Sequence, residues 1–186
     1  MSNSPWKTSL SRILTRPDRS LPRLALVGVG QSLCGDDGAG PAVIDRLRQL
    51  IEPHDCLLLI DCGHAPENCF GPIIRFAPNE ILFIDAIRLD EAAGAIRWLC
   101  AHQADSAGGS THTLSLGLLA VYLAGLTGAN AHVLAICPAN MAFGEGLSPP
   151  VRKAVEDVAG AIAGYWRNAA TACSEIVPGG ESVVNT

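Results

Sequence analysis

The chain has 186 residues, 48% of them hydrophobic, and a formal net charge of −5. That length suits one domain with a sizeable core, and the composition excludes a disordered chain. The acidic balance argues against a broad nucleic-acid surface. Seven cysteines stand at positions 34, 56, 62, 69, 100, 137 and 173. Their odd number, the lack of a CxxC pair and the lack of a signal peptide predict reduced thiols and a cytoplasmic protein.

The first 22 residues carry Lys7, Arg12, Arg16 and Arg19 against one acid, Asp18. Trp6, Leu10, Ile13 and Leu14 recur at helical spacing. A transit peptide shares this charge pattern. The expected state is instead a short amphipathic helix packed on the domain, because Pro17 and Pro22 end it before the first strand. "LALVGVG" (24–30) is a continuous apolar run that predicts a buried strand. A glycine-rich loop, 31–38, follows. "AGPAVIDRLRQLI" (39–51) has Val43, Leu47 and Leu50 on one face and predicts a helix.

"CLLLIDCG" (56–63) predicts a second buried strand. "EILFIDAI" (80–87) predicts a third, and "AIRWL" (95–99) an edge strand. "GGSTHTLSLGLLAVYLAGL" (108–126) reads as a loop and then a helix, with Ser110 or Thr111 as its cap. "AHVLAIC" (131–137) is a further strand. "SPPVRKAVEDVAGAIAGYW" (148–166) is the last helix. Pro149 or Pro150 suits its first turn, and Val151, Val155, Val158 and Ile162 form its apolar stripe.

From Thr113 to Cys137 no residue is Asp, Glu, Lys or Arg. A membrane span needs roughly 20 apolar residues, and the dense part of this run stops short, at Thr127-Gly-Ala-Asn130. A buried helix followed by a core strand is expected, and no membrane contact.

Apolar strands alternating with helices predict an α/β fold. It should be a three-layer sandwich with a twisted, mainly parallel sheet of about five strands flanked by helices. The expected division is a helical extension at 1–22, the domain at 23–168 and a loose tail at 169–186. Ligands in such folds gather where strands end. Asp61 and Asp85 follow apolar strand cores, and Asp36 and Asp37 lie in the loop after the first strand. Three strand ends thus offer carboxylates to one rim.

A dinucleotide fingerprint would need glycine at 33, where Leu33 stands, and two acids would repel a pyrophosphate. There is no GK[ST] P-loop and no G-x-S-x-G elbow. Cysteine catalysis needs a paired base, and Cys34 has acids beside it instead. What remains is carboxylate and histidine chemistry. Two carboxylates and one imidazole suit a divalent first-row metal such as nickel or zinc. His112 is the best histidine, since the positive end of its helix favours a neutral, ligating ring. Plainer roles stand beside these. Asp36 or Asp37 can cap the following helix, and Asp85 can end its strand in an Asx-turn. His54, His64, His102 and His132 read as structural, with His64 the nearest rival to His112.

Five blocks in order, "GVGQSLCGDDGAGPAVIDRL" (28–47), "DCGHAPEN" (61–68), "LFIDAI" (82–87), "STHTLSLGLL" (110–119) and "LSPPVRKAVEDV" (147–158), resemble the hydrogenase maturation endopeptidases. The "APEN" block resembles the branch serving formate-hydrogenlyase-type enzymes. The resemblance spans about 24–166 and implies a phosphorylase/hydrolase-like α/β fold. It implies an endopeptidase that removes the C-terminal extension of a nickel–iron hydrogenase large-subunit precursor after nickel insertion. Asp37, Asp85 and His112 would meet the nickel, which arrives on the precursor's cysteines, and would carry the catalysis. Asp36 would support them, capping the helix or orienting Asp37. The glycines would let a peptide or metal approach closely. Gln31 stands where the family commonly has asparagine. No organic cofactor is implied, and a monomer is expected. The other two readings are a metal-dependent amidase on a small substrate and a non-catalytic nickel-sensing assembly factor.

Overall fold

The computed structural model describes residues 4–100 and 116–174. Five strands, β1 (Leu24–Gly28), β2 (Leu57–Asp61), β3 (Glu80–Ala86), β4 (Ile96–Leu99) and β5 (Asn130–Ile136), form one sheet in the order β2-β1-β3-β5-β4. All pairings are parallel except β4 on β5. The expected three-layer α/β sandwich is the fold observed.

The continuous apolar runs are explained by two-sided burial. Successive residues of a strand face opposite sides. Leu24 and Leu26 of β1, with Leu82 and Ile84 of β3, face one core. Ala25 and Val27, with Ile81 and Phe83, face the other. The first core is closed by α1 (Pro5–Leu14), α2 (Ala39–Leu50) and α5 (Pro149–Ser174). The second is closed by α3 (Phe70–Phe76) and α4 (Leu116–Thr127). From β1 the chain crosses one face through α2 to reach β2, then the other face through α3 to reach β3. Strands β1 and β3 are neighbours with matched ends, Gly28 opposite Ile84. This change of face opens a crevice beyond their carboxyl ends.

From residue 116 the charge-free stretch divides into the expected helix and core strand, but the helix is buried on one face only: Leu116, Leu119 and Leu123 are buried, while Leu118, Val121, Tyr122 and Leu126 are exposed. Helix α4 has 12 residues, Gly128 turns the chain at φ +73°, and β5 follows. Among the described residues no helix is long and apolar enough to cross a membrane. The N-terminal helix packs as expected, with Trp6, Leu10 and Leu14 buried in the first core.

Three local expectations change. The last helix continues past 168 to Ser174. Its apolar stripe adds Ala163 and Trp166, and beyond Trp166 none of the residues to Ser174 is buried. Helix α3 had no sequence signal, because seven residues with Pro72 inside and Pro78 just beyond give no readable period. The cysteines are not all reduced: Cys62 and Cys69 are joined in a disulfide, while Cys34, Cys56, Cys100, Cys137 and Cys173 are thiols.

Candidate active site

Beyond β1, Val29 continues the ladder by donating its N–H to the Ile84 carbonyl at 2.9 Å, and Gly30 donates to the Gly63 carbonyl at 2.8 Å. The chain then makes a 3-10 turn, Gly35–Gly38, that runs directly into α2. Asp37 lies in this turn and is 8% exposed. Its Oδ2 accepts the Gln31 backbone N–H at 2.7 Å.

Two glycines fix how closely the turn sits on the sheet. Gly30 has φ +130°, and a Cβ there would lie 1.8 Å from the Asp37 carbonyl oxygen. Gly40, in the first turn of α2, would place a Cβ 2.3 Å from the carbonyl oxygens of both Ile84 and Val29. The helix start is thus pressed against the ends of β1 and β3. The space that these glycines leave is filled by the chain's own backbone, not left open to a peptide or metal as the sequence suggested.

Asp85, next to last in β3, is 2% exposed. Its Oδ1 accepts its neighbour's N–H, from Ala86, at 2.7 Å. Burial pushes its pKa up, the negative charge of Asp37 pushes it further, and the Ala86 bond only partly offsets them, leaving it at about 8. At neutral pH Asp85 therefore holds a proton, within electrostatic reach of Asp37. Paired acids of this kind are a recurring mark of functional sites.

Asp36 does not cap α2. It is fully buried, and its carboxylate bonds into the loop before α5. Its Oδ2 accepts the N–H groups of Ala139 (2.7 Å) and Asn140 (2.9 Å) and the Ser148 hydroxyl (2.9 Å). Its Oδ1 accepts the Ser148 N–H at 2.6 Å. Burial works against the charged form, yet the Asn140, Ser148 and Ala139 N–H groups outweigh it and hold the carboxyl below its usual range. The partners lie 103 to 112 residues downstream, so no local signal in the sequence marked this latch.

His112, His102 and the proposed caps Ser110 and Thr111 lie outside the described residues. Among the described residues no three His, Cys, Asp or Glu side chains gather as a metal cluster. Asp37 and Asp85 supply two candidate ligands. Asp61 ends β2 in an Asx-turn, accepting the Gly63 N–H at 2.8 Å. His64 is exposed beyond it. His132 is structural, pairing with buried Glu80 at 2.9 Å near the start of β3. His54 accepts the Cys56 N–H through Nδ1 at 3.0 Å. A concavity of about 630 Å³ opens between the end of α2 and β2, lined by residues such as Arg48, His54 and Leu57. None of the carboxylates Asp36, Asp37 and Asp85 lines it. An extended polypeptide needs no enclosed pocket, so the rim is the better candidate.

The family model for HycI, hydrogenase maturation protease, matches residues 41–165, beginning just past the Asp-Asp turn. The chain is 31% identical over 144 residues to the hydrogenase 3 maturation protease of Escherichia coli strain K12, covering 77% of this chain and 90% of that one. Its structure is similar to the crystal structure of the NiFe hydrogenase maturation protease HycI from Thermococcus kodakarensis KOD1. The TM-score is 0.77 at 27% identity, over 86% of this chain and 99% of the other. The solution structure of an endopeptidase HycI from Escherichia coli superposes with a TM-score of 0.65 at 29% identity, over 76% and 90%. The ordered motifs, the α/β fold and these relatives agree: the chain belongs to the hydrogenase maturation protease family and is a peptidase.

Proposed function

We propose that this protein, acting as a monomer, removes the C-terminal extension of a nickel–iron hydrogenase large-subunit precursor once nickel has been inserted. The observation that carries the reading is the Asp37–Asp85 pair at the crevice between β1 and β3. Burial and the Asp37 charge both disfavour an ionised Asp85, so two carboxylates at this rim are costly unless a proton or a cation joins them. A divalent cation brought to the pair relieves that cost and takes the place of the proton on Asp85. Nickel carried on the precursor's cysteines is such a cation, and it is substrate here, not a resident cofactor. His112 is the third residue proposed to meet it.

The pair also suits peptide hydrolysis of an aspartic or metal-assisted type. Asp37 takes a proton from water, and the resulting hydroxide oxygen bonds to the scissile carbonyl carbon. The C–N bond then breaks, and the amine leaves with the proton. No organic cofactor enters this scheme. The proposal places the reaction in the cytoplasm. The Cys34, Cys56, Cys137 and Cys173 thiols suit that compartment, and the Cys62–Cys69 bridge is the feature against it.

The test is a processing assay read by intact mass, with a cognate precursor in nickel-loaded and nickel-free forms. Loss of a C-terminal peptide from the loaded form alone is the expected result. Binding without any shortening would favour an assembly factor, and cleavage of both forms would remove nickel recognition from the scheme.

A further inference from the structure

Phe143 and Leu33 are the two most exposed large hydrophobic residues among those described, at 78% and 60%. They stand on different loops, one before α5 and one after β1. Exposed single apolar residues need no explanation. These two are distinguished by how firmly and where they are held. Gly144, the residue after Phe143, donates its N–H to the Leu33 carbonyl at 2.8 Å, so the two loops are hydrogen-bonded beside their apolar residues. Gly35 donates to the Glu145 carbonyl at 3.2 Å, and Asp36 to the Asn140 carbonyl at 2.7 Å. Ala142 donates to Asn140 Oδ1 at 2.9 Å. The Asp36 carboxylate closes the set from below through its four bonds to Ala139, Asn140 and Ser148.

A backbone fixed this heavily adds little ordering cost when a partner arrives, and only the side chains at its tip have freedom left to lose. A few side chains near the centre of a contact region carry most of the binding energy when a partner covers them. Position gives the partner. Leu33 is four residues before Asp37, in the loop whose Gln31 N–H holds the Asp37 carboxylate. Leu33 thus lies in the loop that carries Asp37, and Phe143 lies in the loop bonded to it, so a polypeptide bound at the carboxylate rim can extend over both tips.

We propose that Leu33 and Phe143 form an apolar lip that grips a hydrophobic side chain of the precursor polypeptide beside its scissile bond, and so set substrate specificity. This rests on the proteolytic reading above. The lip contributes affinity and register and takes no part in bond breaking. Burial of the Phe143 ring and the Leu33 side chain under the precursor chain supplies the contact.

The test pairs binding and cleavage of the nickel-loaded large-subunit precursor for the wild type, Phe143→Ser, Leu33→Ser and Phe143→Leu. Both side chains are exposed, so thermal midpoints should stay unchanged. The expected result is a Kd and KM raised about tenfold or more by either serine variant, kcat kept, and recovery in Phe143→Leu. Unchanged Kd and KM in the serine variants, with a wild type that cleaves, would overturn the lip and leave the protease standing. Binding without cleavage by the wild type, weakened by Phe143→Ser, would support the lip while removing the protease. A wild type that neither binds nor cleaves would overturn both. A wild-type dimer made monomeric by Phe143→Ser, with processing unchanged, would assign the lip to a second copy and overturn the proposal.

Discussion

The charge on Asp37 reaches Asp85 across the boundary between the turn after β1 and the end of β3. Burial is the larger cause of the raised Asp85 pKa and the Asp37 charge the second. The two residues are 48 positions apart in sequence, and the parallel pairing of β1 with β3 places them at one rim.

Asp85→Asn should stabilise the protein in a pH-dependent way. Native Asp85 keeps its proton to about pH 8, while the unfolded chain releases it near 3.8. Between these values the native state holds more protons, so stability falls as pH rises, by at most about 1.4 kcal/mol per pH unit. Above pH 8 this group adds no further change. Urea unfolding of wild type and Asp85→Asn at pH 5, 6, 7 and 8 should show the variant gaining most at pH 8. An equal difference at every pH would show that Asp85 does not titrate in that window.

Asp36→Asn should act in the opposite sense. The amide offers N–H donors where the carboxylate accepts from Ala139, Asn140 and Ser148. A loss of about 3 kcal/mol at pH 7 is expected for such a buried charged acceptor. The native pKa lies below 3.8, so the contribution is present above that pH and fades as pH falls through the native value. Hydrogen exchange should accelerate at Ala139, Asn140 and Ser148 before it does in β1 or β3. Unaltered protection at these amides would show that the latch does not hold the loop.

The sheet was legible because its signal is one-dimensional. Two-sided burial makes β1 and β3 apolar throughout, and the aspartate ending the core of β3 is visible as the break in that run. The placement of Asp37 in the turn after β1 and of Asp85 at the end of β3 was legible, the first through its glycines and the second through its strand. Asp36 was not, since its role depends on Ser148 across 112 residues. The Cys62–Cys69 bridge escaped because counting thiols says nothing of the turn at Pro66–Cys69 that brings them together. The rim's apolar tips escaped for a similar reason: Leu33 and Phe143 become a pair only through the Gly144–Leu33 bond.

The N-terminal helix should count as core and not as an appendage. Leu10 is fully buried with Leu14 against residues of the first core, which includes Trp166 of α5. Leu10→Ala should cost about 2–5 kcal/mol, as for other buried leucines. Deleting 1–16 should cost at least as much, read as a lowered urea midpoint for both. A midpoint left unchanged by the deletion would return this segment to the status of an extension.

Asp37→Asn separates structure from chemistry at the site. The Asn side-chain oxygen can still accept the Gln31 N–H, so the turn should keep its shape. Removing the negative charge withdraws the second cause of the raised Asp85 pKa and leaves burial, the first. The pH window over which Asp85 lowers stability should therefore shrink from its upper end, and the variant should be at least as stable as the wild type at pH 8. Precursor processing should nonetheless fall by about 100-fold or more, the range for loss of a positioned proton acceptor. A variant that melts later and cuts slower would assign Asp37 to function over fold. Normal processing by a well-folded Asp37→Asn would take the carboxylate out of the reaction and leave Asp85 without its partner.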